Sequence, residues 1–507
     1  MIAGYALRPG RGSAARRQTR EVAHTRGLPG PALATLVPPD QLDGTRATSG
    51  VGVNTASVGD QSASAHAAEK ADIGLVSAIS VGVGGMIGAG IFSILGVVAS
   101  ISGSALPISF AVGGVVAILA AYNYVQLGKA FPSVGGAVTF LVKGFGIGVT
   151  AGTLNIFQYF AYIIAIALYA TGFAAYADTF IDLPPKVWAV AVVVAFTLVN
   201  FLGSRIMGRA ESVIVIIKVA ILVVFVVAAF VALNQVGEQR LSPSHWSSPM
   251  STLVGAGIVF VGYEGFGLIT NASANMKRPS WELPRAIYIS VTIVIVIYIA
   301  VAIGVVANVP LEQLKGLGDS ALAVAAKPSL GQVGFTLIAI AALLSTASAV
   351  NATLFGSANV AYQIGKNGSL PSAFTRKLWG RDVEGLFITA ALVLVFVLIF
   401  PLSAVASMGS AGFLIVYAAV GVGHLRIRSQ TGAKAWPIIA SVVTCIALFA
   451  VLFAHMVTTA PTSAIALAVT LLVSLLIEVV YRRRTGRTFH RMLDRHGQEP
   501  TAQPERP

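Results

Sequence analysis

Apolar runs recur through this chain near residues 72–97, 104–127, 149–177, 187–203, 211–234, 252–272, 285–308, 331–362, 385–401, 403–423, 436–456 and 461–480. A helix of about 20 apolar residues crosses the hydrocarbon core of a bilayer, and a segment in lipid must satisfy its backbone groups internally. The pattern predicts an all-α polytopic membrane protein with about twelve transmembrane helices. With 56% hydrophobic and 11% charged residues and a mean hydropathy of +0.81, the 507 residues leave no room for a large soluble domain.

The cations follow the spans. If both tails lie on one side, that side holds 29 Lys and Arg and the other only Lys186, Arg240, Lys315 and Lys327. Lys and Arg are retained in the cytoplasm, so both termini are expected inside a multi-pass protein of the cell membrane. The net charge of +14 is then an orientation signal, and no basic patch interleaved with aromatics points to nucleic acid. One of the 34 basic residues falls in neither set: Lys218, inside ESVIVIIKVAILVVFVV. Among the acids Glu264 lies well inside a span, while Glu478 is expected to snorkel toward the surface beside Arg482, Arg483 and Arg484. Intramembrane charges are costly and mark function.

Residues 1–70 are rich in Arg, Ala, Gly, Ser and Pro and read as a disordered cytoplasmic tail or as an over-extended start. Residues 482–507 form a basic cytoplasmic tail, either a topology anchor or a segment lying on anionic lipid. The single cysteine, Cys445, sits in an apolar run, so no disulfide framework or thiolate metal cluster is expected. The seven histidines form no mid-membrane haem or metal set, and no cofactor and no enzymatic chemistry is expected.

The first and sixth runs are studded with glycine: Gly84, Gly85, Gly88 and Gly90 in one, Gly262, Gly265 and Gly267 in the other. Each glycine weakens a helix by about 1 kcal/mol relative to Ala, so both clusters are candidate unwound points. Unwinding at mid-membrane exposes amides that attract an anion and carbonyls that attract a cation, a combination suited to a zwitterion. The competing reading is close helix packing through small residues. Positions one and six, at the start of two five-helix sets, match the discontinuous helices of inverted-repeat transporters.

Several motifs carry a resemblance. GMIGAGIF (Gly85 to Phe92), the stretch from Gly103 to Phe140 with Tyr124, Pro132, Gly135 and Gly136, GYEGF (Gly262 to Phe266) with KRPSWELPRAI (Lys277 to Ile287), and STASAVNATLFGSANVAYQIGKNGSLP (Ser345 to Pro371) resemble the amino acid, polyamine and organocation (APC) superfamily of permeases. The chain departs from that pattern at Gln126, where Glu is common, at Gly267 and Asn275, where acids are common, and at Asn359, where Arg is common. The resemblance implies a leucine-transporter-like inverted five-plus-five repeat over residues 71–423 with discontinuous helices 1 and 6, and two peripheral helices over 424–481.

It also implies a site. Ile87, Gly88, Ala89, Gly90 and Ile91 would lie at the first break, with amides of Ala89, Gly90 and Ile91 on a substrate carboxylate and carbonyls near Met86 and Phe260 on the amine. Phe260, Tyr263 and Phe266 would cover the side chain or simply pack. Glu264 is open between counter-charge, proton acceptor and a hydrogen bond to nearby backbone. Lys218 would approach the first break and the eighth helix, its ammonium standing where sodium-driven relatives bind their ion, with carbonyls near Gly85 or Gly88 and a hydroxyl among Ser345, Thr346 and Ser348. The expected function is a secondary transporter of amino acids or related amines, proton-coupled through Lys218. Sodium-independent exchange, with Lys218 a permanent strut, is the alternative; a channel or receptor-like protein would need a polar pore or a ligand domain that the sequence lacks. Expected partners are the substrate, protons and membrane lipid.

Overall fold

The structure, a computed structural model, describes residues 73–133, 135–202, 207–233, 235–314, 319–366, 370 and 384–485. The N-terminal tail, most of the C-terminal tail and the loop cations Arg205, Lys315, Arg376, Lys377 and Arg381 lie outside the described residues. The apolar runs become helices: α1 (Leu75–Ser102), α2 (Leu106–Ala130), α3 (Val149–Ala177), α4 (Pro185–Leu202), α5 (Met207–Val231), α6 (Pro249–Asn271), α7 (Pro279–Asn308), α8 (Ala321–Lys366), α9 (Glu384–Ile399), α10 (Leu402–Arg426), α11 (Ala435–Thr459) and α12 (Pro461–Thr485). Short helices, including Ala137–Phe145 and Arg428–Thr431, join them. The protein is an all-α polytopic membrane protein.

Local chemistry sets the ends. Pro107, Pro249 and Pro279 occupy first-turn positions, where a missing N–H costs nothing, and Ser248 Oγ accepts from the Ser251 amide at 3.1 Å. Gly103, at φ 52°, turns α1 into α2. Within the 46 residues of α8, Gly331 at φ 64° and ψ −156° breaks the helical path. A Cβ there would meet nothing within 4 Å, so the backbone conformation, not space, calls for glycine.

The number of spans agrees with expectation, and one local expectation is corrected. Among the described residues eleven helices are long and apolar enough to cross a bilayer, and the apolar α9 is shorter. Its 16 described residues extend about 24 Å at 1.5 Å per residue and end just before Pro401. The first glycine cluster does not interrupt its helix: α1 is continuous from Leu75 to Ser102. The second loosens, as Phe260–Phe266 of α6 winds into a 3₁₀ turn between two α-helical halves. The reason is close packing. A Cβ on Gly265 would collide with backbone at Gly85 and Met86, and one on Gly90 would collide with Gly262. Glycine here lets two backbones touch, and the contact supports α1 as a helix.

Spans α1, α3, α6 and α10 are about four-fifths buried, whereas α4 and α5 are under a third buried and turn valines and isoleucines outward. Helix α11 lies against α2, α6 and α10, and α12 against α3 and α10. Glu478 of α12 does not snorkel: it is 2% exposed, pressed on Gly152 of α3, with Oε1 accepting from Arg482 Nε at 3.1 Å. Gly152 has no side chain to hold the carboxylate away.

Candidate functional site

The glycine contact brings α1, α5, α6, α7 and α8 together at mid-membrane. Lys218, about midway along α5, is fully buried and its ammonium donates to the Gly84 carbonyl at 2.8 Å. A Cβ on Gly88 would lie 3.5 Å from Lys218 Nζ and 3.2 Å from Ala349 of α8. Ser345 Oγ donates to the Ile87 carbonyl at 3.1 Å, so α8 is tied to α1 one turn from the lysine contact. Thr346 turns back on its own helix, donating to Ala342 at 2.7 Å, and Ser348 is buried.

The residues expected to hold substrate are enclosed. Ile87 and Ile91 are fully buried, as are Gly88 and Gly90, and the Ala89 backbone is helical. The Met86 carbonyl accepts the Tyr298 hydroxyl at 2.7 Å, and the same hydroxyl reaches the Gly262 carbonyl at 3.2 Å. The 3₁₀ turn of α6 is held by side chains from elsewhere: Ser410 Oγ accepts the Val261 amide at 3.1 Å, and the Tyr417 hydroxyl donates to the Glu264 carbonyl at 3.1 Å. Phe260 and Phe266 pack on Tyr417, with ring centroids 5.4 and 5.3 Å away. The Tyr263 hydroxyl donates to the Phe110 carbonyl at 3.0 Å. The Glu264 carboxyl faces the Tyr162 hydroxyl of α3. Sequence reasoning missed Tyr298, Ser410 and Tyr417, whose only signal is a hydroxyl in an apolar run that must find a partner.

Below this closed waist lies a cavity of about 630 Å³, floored by Gly84 and Gly85 and walled by α6, α8 and the loop before the short helix Ala137–Phe145. Its polar walls are mainly amides, Asn200, Asn271, Asn275, Asn351, Asn359 and Gln363, with the hydroxyl of Thr353. Asn200 Nδ2 donates to Asn351 Oδ1 at 2.9 Å. Every described lining side chain is uncharged. At the opposite ends of the helices a second cavity, of about 410 Å³, is bordered by Asp178, Lys186 and Asp319. Burial pushes the Asp319 carboxyl up from the usual carboxylate range. The two cavities lie at opposite ends of α4 and α8, an arrangement suited to a protein that passes a small solute across the membrane.

Comparison with known proteins agrees. The chain belongs to the amino acid permease family, which matches residues 73–481. It is 40% identical over 423 residues to an uncharacterized protein of Methanocaldococcus jannaschii, covering 82% of this chain and 97% of that one. It is 34% identical over 373 residues to the inner membrane transport protein YbaT of Escherichia coli, covering 71% and 85%. With the branched-chain amino acid permease BcaP of Bacillus subtilis it shares 24% identity over 328 residues, covering 61% and 70%. It is therefore a transporter of the amino acid permease kind, multi-pass in the membrane, and not an enzyme.

Proposed function

We propose that the protein is a proton-coupled secondary transporter, in the cell membrane with both termini cytoplasmic, for amino acids whose side chains carry no net charge. The observation that carries the coupling is the buried Lys218 ammonium on the Gly84 carbonyl, beside the Ser345 tie between α1 and α8. A proton leaving that ammonium in one access state and returning in the other would weaken and restore the α1 to α5 contact as the waist opens and closes. The substrate zwitterion would occupy the waist at Gly88, Ala89 and Gly90 once α1 and α6 part, with Phe260, Tyr263 and Phe266 around its side chain.

The amide-walled cavity supports the neutral side chain. Amides donate and accept but supply no counter-charge, and the cation nearest its floor, Lys218, disfavours a second cation. Asn359→Asp should therefore shift preference toward lysine over leucine by roughly tenfold, measured as competition for uptake. An unchanged ratio would place selectivity elsewhere.

The orientation rests on the cation asymmetry and puts the amide cavity on the cytoplasmic side. The single cysteine, Cys445, is fully buried, so introduced thiols can be read against little background. In intact cells an impermeant maleimide should label Ser244→Cys and spare Gly432→Cys. The reverse pattern would invert the topology.

A further inference from the structure

We propose that α3 carries a hydrated proton path linking Glu264, at mid-membrane, to Glu478 near the membrane surface, distinct from the lysine contact. Residues 152, 155, 158 and 162 are spaced by three and four, so they lie on one face of α3. The row ends at one side in Glu478, whose carboxylate lies on Gly152, and at the other in Tyr162, whose hydroxyl meets the Glu264 carboxyl. Gln158 lies beside that hydroxyl. Two buried carboxylates on different helices are thus joined by polar side chains of a third.

The row is polar beyond what the protein itself satisfies. Asn155 Oδ1, Gln158 Oε1 and Glu478 Oε2 are buried and have no hydrogen-bond partner among the described residues. Asn155 and Gln158 are 4% and 3% exposed, and a buried acceptor left unpaired costs about 1–3 kcal/mol. Three such atoms along one seam are satisfied most simply by ordered water, which needs two to four polar partners. Waters held between Glu478, Asn155 and Gln158 form a chain that ends on Tyr162.

The step is a proton transfer without electron movement: hydronium at the Glu478 end gives up a proton along the chain, Glu264 carboxylate becomes the acid, and one water remains. Reversal returns the proton. The titratable groups within electrostatic reach of Glu264 are Tyr162 and Tyr169 of α3, Tyr124 of α2 and Tyr417 of α10, and Cys445 of α11 is within reach of the last two. Arg482 faces Glu478 and fixes one carboxylate oxygen, leaving Oε2 toward the seam.

The test is infrared spectroscopy of the purified full-length protein in lipid vesicles, following the protonated-carboxyl stretch after transfer to D₂O, from about pH 4 to about pH 9. The band lost in Glu264→Gln belongs to Glu264. Asn155→Leu, Gln158→Met and Glu478→Gln should each slow its deuterium exchange by roughly tenfold or more. Thr470→Val, whose hydroxyl bonds to Ala466 within α12, should exchange at the wild-type rate. Wild-type exchange in both Asn155→Leu and Gln158→Met overturns the path, as does the absence of any Glu264-dependent carboxyl band. The readout needs no transport, so it stands apart from coupling at Lys218.

Discussion

Lys218→Ala should reduce pH-driven accumulation of a neutral amino acid in proteoliposomes from about tenfold to about unity. Tenfold is the ratio that one proton per substrate sustains across about one pH unit. The argument starts from cost: a lysine at a helix centre opposes insertion by about 2.5–3.5 kcal/mol, so its ammonium needs a partner. Gly84 provides one at 2.8 Å, and the side chain is sealed from solvent. Alanine removes the proton carrier together with the link between α5 and α1. Lys218→Met separates the two, because it keeps much of the volume and lacks the charge. Wild-type accumulation that ignores an imposed proton gradient would sink the coupling and leave a charged strut in a gradient-independent exchanger.

The second large effect belongs to the waist. Gly265→Ala should abolish uptake, and Gly90→Ala should come close, because each new methyl would strike backbone: Gly85 and Met86 in the first case, Gly262 in the second. Overpacking a tight core costs about 1–3 kcal/mol, and backbone cannot swing aside as a side chain can. Gly88→Ala should be milder, since its methyl would meet Ala349 at 3.2 Å, a contact that a small shift relieves. Gly148→Ala is the reference, with nothing within 4 Å of its added methyl. The measurement is initial uptake rate at matched abundance. Equal rates for Gly265→Ala and Gly148→Ala would mean that the glycine contact is not part of the transport cycle.

The helices were legible because lipid imposes one rule, a continuous apolar run, on every span. Lys218 was legible by elimination, being the one cation that fits neither face of the membrane. Local rules failed where the outcome depends on a distant partner. The glycines at 84, 85, 88 and 90 weaken a helix in isolation, yet Gly262 and Gly265, some 180 residues later, supply a surface against which α1 stays wound. Glu478 was misread because proximity to arginines is visible in sequence and the bare surface of Gly152 is not. Tyr298, Ser410 and Tyr417 were invisible as clamps, since a hydroxyl does not announce which carbonyl or amide it will meet.

The placement of Lys218 also bears on how the chain is made. Its helix is the most apolar of the described spans, although most of its surface faces outward. Isoleucine and valine each favour entry into the bilayer by about 0.3–0.6 kcal/mol, so the surrounding run offsets the lysine. Helix α5 can thus leave the translocon alone, before α8 has been synthesised. In the finished fold its ammonium rests on the Gly84 carbonyl of α1, which precedes it in the chain. The Ser345 bond to α1 requires the second half of the chain, so the lysine contact is the one of the two that can form first.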